Sequence, residues 1–329
     1  MLFRNRPSTT GVDPNDEHRD FKLLEAVVVD AFAEQKKARR WGIVFKTLTF
    51  AYLFVVLMLF VAGAQQSGVV NVTEDHTAVV MVRGAIAGDK EASAPRINAA
   101  LRAAFENEHA KAIVLAVNSP GGSPVQSAYV YDEIMRLKKE YPDKKVYAVI
   151  EDIGASGAYY ISAAADEIYA NRSSLVGSIG VIASGFGFTG TMEKLGVERR
   201  VYTSGENKAF LDPFSPANEQ HEEFWEGVLA EVHVQFMDAV KAGRGDRLKD
   251  NDTVFSGLIW NGERALEMGL IDGLGSARDV ARDVIKHEKL VDYTRRKSPL
   301  QELMNSFGVS VGEGIARSVG IDNSIAPLR

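Results

Sequence analysis

The 329-residue sequence predicts an α/β fold in which parallel strands alternate with helices, preceded by one transmembrane helix. Three observations predict it. Short, uniformly apolar runs alternate with longer segments that carry apolar residues at helical spacing. Small glycine-containing turns sit where a run gives way to a helix. Residues 48–64, LTFAYLFVVLMLFVAGA, carry no charge at all.

Residues 1–40 are polar and read as a cytoplasmic N-terminal segment, with an amphipathic helix over Phe21–Arg40 ahead of the membrane. Residues 41–64 read as a transmembrane signal anchor. About 20 apolar residues cross a hydrocarbon core of roughly 30 Å, and the stem of Lys46 can snorkel to the interface. A buried soluble helix would carry a polar stripe, and this stretch has none. Lys36, Lys37, Arg39 and Arg40 crowd its N-terminal side, whereas Glu74 and Asp75 follow it. The positive side stays in the cytoplasm, which sends residues 65–329 outward. Ala62-Gly63-Ala64 fits a signal peptidase cleavage pattern, but some forty residues precede the apolar stretch, which favours an uncleaved anchor.

Beyond a linker over residues 65–75, a single domain is expected over 76–290 and a tail over 291–329. His76–Ala87, Ala112–Asn118, Lys145–Ile150 and Glu167–Asn171 read as strands, and Val197–Tyr202 is strand-like. Arg96–Glu106 and Pro124–Glu140 read as helices between them. Strands so uniformly apolar are usually covered on both faces, which favours parallel pairing with crossover helices. A long helix is expected over Ser215–Lys241, with Pro216 in its first turn and Gly243-Arg244-Gly245 stopping it.

Composition excludes several functions. The net charge of −6 leaves no basic surplus for nucleic acid. The absence of cysteine rules out disulfides, a thiolate nucleophile and cysteine-ligated zinc. The six histidines are scattered with no ligand spacing, so no metal site is expected.

Four glycine-containing elements draw attention. Asn118-Ser119-Pro120-Gly121-Gly122-Ser123 follows a strand and precedes a helix. It is either a plain strand-to-helix turn or a turn whose bare N–H groups hold an oxyanion. Gly154-Ala155-Ser156-Gly157 also joins a strand to a helical stretch. There Ser156 is either an N-cap or a hydroxyl projected into a cleft. Gly177-Ser178-Ile179-Gly180 is a small-residue loop. Ser204-Gly205-Glu206-Asn207-Lys208 ends the Val197–Tyr202 run, and a lone lysine there is ordinarily a solvated charge. A hydrolytic serine needs a base, and no histidine lies in a glycine-flanked loop. A lysine desolvated in an apolar pocket can serve instead, which makes Lys208 a sensible candidate. Hydrolysis by a serine and a lysine needs no organic cofactor.

Taken together, NSPGG (118–122), GASGAYYIS (154–162), LVGSIGVI (175–182) and SGENKAF (204–210) resemble the signal peptide peptidase A family of bacterial serine peptidases. The likeness continues through GRGD (243–246) and FSGLIWNGERALEMGLIDGLG (255–275), covering roughly residues 76–285. The resemblance implies a ClpP/crotonase-like spiral of ββα units, in the short single-domain form. It implies Ser156 as nucleophile, Lys208 as general base, and Ser178 as the hydroxyl that orients the lysine. Oxyanion N–H groups would come from Gly121 or Gly122, with the amide of Ser156 or Gly157. It further implies peptide substrates, namely remnant signal peptides and other short apolar peptides, cleaved at the outer face of the bacterial inner membrane. Homo-oligomers with active sites near subunit interfaces are implied as well.

One departure is Glu206. Its carboxylate, if paired with Lys208, would hold the amine in its charged form, so the reading requires Glu206 to point away. Two rivals remain at this point. The same fold type hosts acyl-CoA enzymes, against which the outward placement argues. A catalytically silent membrane scaffold is the other, against which the presence of both Ser156 and Lys208 argues.

Overall fold

The computed structural model describes residues 19–65, 72–249 and 253–294. The rest of the N-terminal segment and of the linker, and the tail beyond Thr294, lie outside the described residues. The chain divides into two compact units, one holding the N-terminal helix and the other spanning Val69–Arg296.

In the first unit, helix α1 (Arg19–Gln65) runs unbroken through both the amphipathic and the uncharged stretches. Among the described residues it holds the one segment, Ala31–Met58, that is long and apolar enough to cross a membrane. Its two threonines of the apolar stretch satisfy their hydroxyls internally. Thr47 and Thr49 donate to the carbonyls of Ile43 and Phe45, each at 2.9 Å.

The second unit is built on parallel strands. β1 (His76–Arg83), α2 (Ala94–Glu106), β2 (Ala110–Ser119), α3 (Pro124–Glu140) and β3 (Lys145–Ala155) follow in turn. β2 pairs in parallel with β1 on one side and β3 on the other. Its residues Ala112–Val117 are buried throughout, as a strand covered on both faces must be. Crossover helices α2 and α3 supply that cover, burying Leu101, Phe105, Ile134 and Leu137 against the sheet.

β3 is longer than the apolar run at its start, and the extra length matters. Its first half pairs with β4 (Glu167–Ala170), and its last three residues pair with β5 (Leu175–Gly177). Between β3 and β4 lies the short helix α4 (Gly157–Ser162). The chain then runs out through an exposed strap with helix α5 (Thr189–Lys194), and returns through helix α6 (Glu219–Arg244). β6 (Ile259–Asn261) pairs antiparallel with β5, α7 (Gly262–Glu267) follows, and β7 (Gly273–Leu274) extends β4. β8 (Leu290–Asp292) joins the free edge of β1. Beyond β8, Thr294 Oγ1 accepts from the Met81 amide at 2.7 Å.

Two sequence expectations are corrected. Val197–Tyr202 forms no strand and pairs with none among the described residues; instead Arg199 grips Asp212 through two hydrogen bonds of 2.9 and 3.1 Å. The long helix starts at Glu219 rather than Ser215, because Asn218 caps it by accepting from the Gln220 and His221 amides. Its stop falls where the sequence put it, in Gly243-Arg244-Gly245: Arg244 is the last helical residue and Gly245 caps it at φ 53°, while Gly243 closes the final turn. A Cβ at that position would run into the Ala163 carbonyl at the end of α4, so the glycine permits close approach of the two helices.

Candidate active site

Ser156 occupies the single residue between β3 and α4, at φ 53° and ψ −125°. A non-glycine residue at positive φ costs of order 1–3 kcal/mol and persists only where its surroundings enforce it. The enforcement is visible. The Ser156 amide donates to the Gly177 carbonyl at 2.8 Å, and its own carbonyl accepts from the Tyr160 amide at 3.0 Å. A strained strand-to-helix serine is the geometry by which a nucleophile is raised clear of the backbone.

The Pro-Gly-Gly turn lies directly against this serine. Gly121 has φ 95°, and a Cβ there would sit 2.7 Å from the Gly157 nitrogen and 2.8 Å from Ser156 Cβ. Its amide is already engaged, donating to Ser119 Oγ at 3.1 Å. Gly122 and Gly157 differ. Both line the cavity beside Ser156, and neither amide donates to another group among the described residues. The space of a Cβ on Gly157 would lie 3.4 Å from the Gly122 nitrogen, so the two amides are near neighbours. Two free N–H groups beside a serine hydroxyl are what an oxyanion requires.

The cavity holds about 340 Å³. Its floor is apolar: Val125 and Ala128 of α3, Tyr160 of α4, Val181 and Ile182 beyond β5, and Phe236 of α6. The Tyr160 and Phe236 rings stack at 5.0 Å, and Tyr131 meets Tyr160 edge-on at 5.4 Å. Burial pushes the Tyr160 phenol above its ordinary value, with the charges of Asp132 and Tyr131 adding to it.

Ser178 follows the β5 strand that pairs with the end of β3, so it is carried close to Ser156 in the sheet register. It too has φ 53°, and its amide donates to the Leu258 carbonyl at 2.7 Å. Lys208 is placed differently. It is exposed on the Gly205–Leu211 turn, and it is not among the residues lining the Ser156 cavity. Within one chain the structure therefore brings together Ser156, Gly121, Gly122, Gly157 and the Ser178 strand end, and leaves Lys208 on the strap. Glu206, also exposed, makes no ion pair with Lys208 among the described residues.

The Lys208 turn is not loose. Asn207 Oδ1 accepts from His221 Nε2 at 3.2 Å, and Phe210 packs its ring against His221, Phe224 and Trp225 of α6 at 5.0–6.0 Å. Nothing in the sequence flagged His221 as a partner of this turn, since the two are separated by the start of α6.

The GRGD and GLIDG stretches prove structural. The Arg244 guanidinium, fully buried, donates to Asp272 at 2.7 and 2.9 Å and to the Gly269 carbonyl at 2.9 Å. Asp272 also accepts from the Ile168 amide at 2.7 Å. Burial pushes the Asp272 carboxyl up, but Arg244, the Ile168 amide and Arg247 outweigh it and hold the carboxyl below its ordinary value. Tyr159, one turn into α4, donates its hydroxyl to the Leu270 carbonyl at 2.6 Å and so ties the serine's helix to this node.

Comparison with known proteins accords with this geometry. The profile of peptidase family S49 matches residues 138–291. A Brucella abortus protein named as the Na(+)/H(+) antiporter NhaA is 45% identical over 64% of this chain and 29% of its own length. An Enterococcus faecium protein named as a signal peptide peptidase SppA is 36% identical over 57% of this chain and 54% of its own. A Synechocystis sp. protein bearing a protease name is 32% identical over 63% of this chain and 72% of its own. The chain thus spans less than a third of the Brucella relative and about half of the Enterococcus one. It belongs to peptidase family S49, the signal peptide peptidase A family.

Proposed function

We propose that the chain is a membrane-anchored serine endopeptidase in which Ser156 is the nucleophile and Lys208 the general base. The observation that carries the reading is the enforced positive φ of Ser156 at the mouth of an apolar cavity, beside the free amides of Gly122 and Gly157. Neutral Lys208 takes the Ser156 hydroxyl proton as the oxygen attacks the scissile carbonyl. The oxyanion rests on the Gly122 and Gly157 amides, and Ser178 holds the lysine amine in line. Protonated Lys208 then gives its proton to the leaving amine, and water hydrolyses the acyl-enzyme.

The parallel strands with crossover helices, and the forked pairing of β3 with β4 and β5, support a ClpP/crotonase-like spiral. The α1 apolar segment supports a single-pass anchor, and the basic cluster before it supports a cytoplasmic N-terminus with the catalytic unit outside the inner membrane. The apolar cavity suits remnant signal peptides and other short apolar peptides.

The base comes from a second copy of the chain in this reading. Lys208 is exposed, and the strap around it exposes large apolar side chains: Ile182 (88%), Phe186 (80%) and Tyr202 (91%). Apolar surface of this kind is what a covering copy would bury. Co-expression of Ser156→Ala and Lys208→Ala chains tests this. Restored peptidase activity that neither variant has alone is expected. A mixture as inactive as its components would overturn the shared site.

A further inference from the structure

The cavity that takes the substrate beside Ser156 is apolar, with one exception. α3 presents Val125, Ala128, Tyr129 and Asp132 to it, at the i, i+3, i+4, i+7 spacing of a single helix face. Three of these positions offer apolar or aromatic surface, and the fourth is a carboxylate. The opposite walls are neutral throughout: Gly180, Val181 and Ile182 on one side, Val232, Gln235 and Phe236 on the other. Asp132 is therefore the sole charged residue among those lining the cavity.

That carboxylate has no cation of its own. It forms no hydrogen bond or ion pair among the described residues. The nearest candidates are already committed. A second cavity, about 590 Å³, shares Tyr129 and Asp132 with the first and contains Arg102 and Arg136. Arg102 bonds Glu133 at 2.5 Å, while Arg136 bonds Glu133 at 2.9 Å and Glu140 at 2.5 Å. Glu133 is correspondingly held down to about 2, first by Arg136 and then by Arg102. Both guanidinium groups are thus spent on other carboxylates. Asp132 is exposed where the two cavities meet, and its charge adds to burial in raising the Tyr160 phenol.

We propose that Asp132 is a specificity-determining residue: the cavity receives a lysine or arginine side chain of the substrate, its alkyl stem on the apolar walls and its cationic end on Asp132. The proposal rests on the peptidase reading of Ser156 and names the substrate feature that this site selects. A long stem ending in a cation matches an apolar cavity with one exposed carboxylate in its lining, because such side chains bury their methylenes and keep the charge at a polar tip. A site of this shape favours the part of a peptide where basic residues border an apolar run, as they do at the junction of the charged and apolar regions of a signal peptide.

The test uses the full-length Ser156→Ala chain in detergent, and fluorescent decapeptides of leucine and alanine with lysine, norleucine or glutamate at one position. Fluorescence anisotropy gives each Kd without requiring turnover. The lysine-over-norleucine preference is expected to fall about two- to five-fold on adding Asp132→Asn, the range of an exposed ion pair. It is expected to invert in favour of glutamate on adding Asp132→Lys. Preferences that stay the same in all three backgrounds overturn the proposal and leave Asp132 as a solvated surface charge. If the charge preference follows Asp132 but wild-type protein hydrolyses none of the peptides, the proposal stands and the peptidase reading alone fails.

Discussion

Replacing Asp272 with alanine removes the only carboxylate that pairs with the fully buried Arg244 guanidinium among the described residues, and the consequence can be worked from the contacts. Arg244 has a side-chain exposure of 0% and would keep a single partner, the Gly269 carbonyl. Breaking a buried ion pair from one side costs about 3–5 kcal/mol, because the remaining charge stays buried. The Ile168 amide, which donates to the same carboxylate, is orphaned as well. Neither loss is fully additive with the other, so about 4 kcal/mol is the working figure. A domain of this size shifts by roughly 2–4 °C per kcal/mol, which puts the fall in Tm at about 8–16 °C. Thermal unfolding of the detergent-solubilised chain, followed by circular dichroism, reads it. The double variant Arg244→Met/Asp272→Leu removes both charges and is expected to recover most of the loss. A single variant that melts within about 3 °C of wild type, or a double variant as unstable as the single one, would refute the reasoning. Because Tyr159 anchors α4 to the adjacent Leu270 carbonyl, activity should fall at a lower temperature in step with the melting.

Three further outcomes follow from the same structure. Gly121→Ala forces a Cβ to within 2.7 Å of the Gly157 nitrogen, and a displacement of the serine turn by about 1 Å is expected to lower kcat/KM about 100-fold, measured on a chain that still melts cooperatively. His221→Ala frees the Lys208 turn and is expected to cost about five- to ten-fold in kcat, the worth of one hydrogen bond, while His221→Gln keeps a donor to Asn207 and restores it. Equal loss in both variants would show that the latch has no bearing on the lysine. In acid, Glu133 has an ordinary value of 4.5 and a folded value of about 2, set mainly by Arg136. Its contribution to stability is full above 4.5 and is lost as the pH falls towards 2, so Tm should drop across that window, and less steeply in Glu133→Gln.

The parallel core was legible because period and composition agree there. β2 is apolar at nearly every position and is buried on both faces. Asn118–Ser123 and Gly154–Gly157 likewise announced their strand-to-helix turns, and the structure lays one against the other. What the residues could not announce was set by tertiary contact. Gly243-Arg244-Gly245 announced the end of α6, but not that a side chain at Gly243 would meet the Ala163 carbonyl. Val197–Tyr202 has strand composition but finds no ladder, since the strap around it is exposed. Short strands such as β7 and β8 are defined by their partners and not by any periodicity of their own. Asp132 could have been found from the helical spacing that sets it beside Val125, Ala128 and Tyr129, but only once the cavity they face was known. The Asn207–His221 bond joins two elements that sequence alone keeps apart.

The most direct measurement of the central claim is covalent labelling by a fluorophosphonate, together with hydrolysis of an apolar peptide, for wild type, Ser156→Ala and Lys208→Ala. The account predicts that wild type is labelled and cleaves. Ser156→Ala should take no label, and Lys208→Ala should label slowly and cleave no peptide, with both variants folded. Labelling and cleavage by Ser156→Ala at the wild-type rate would contradict the account and place the nucleophile elsewhere.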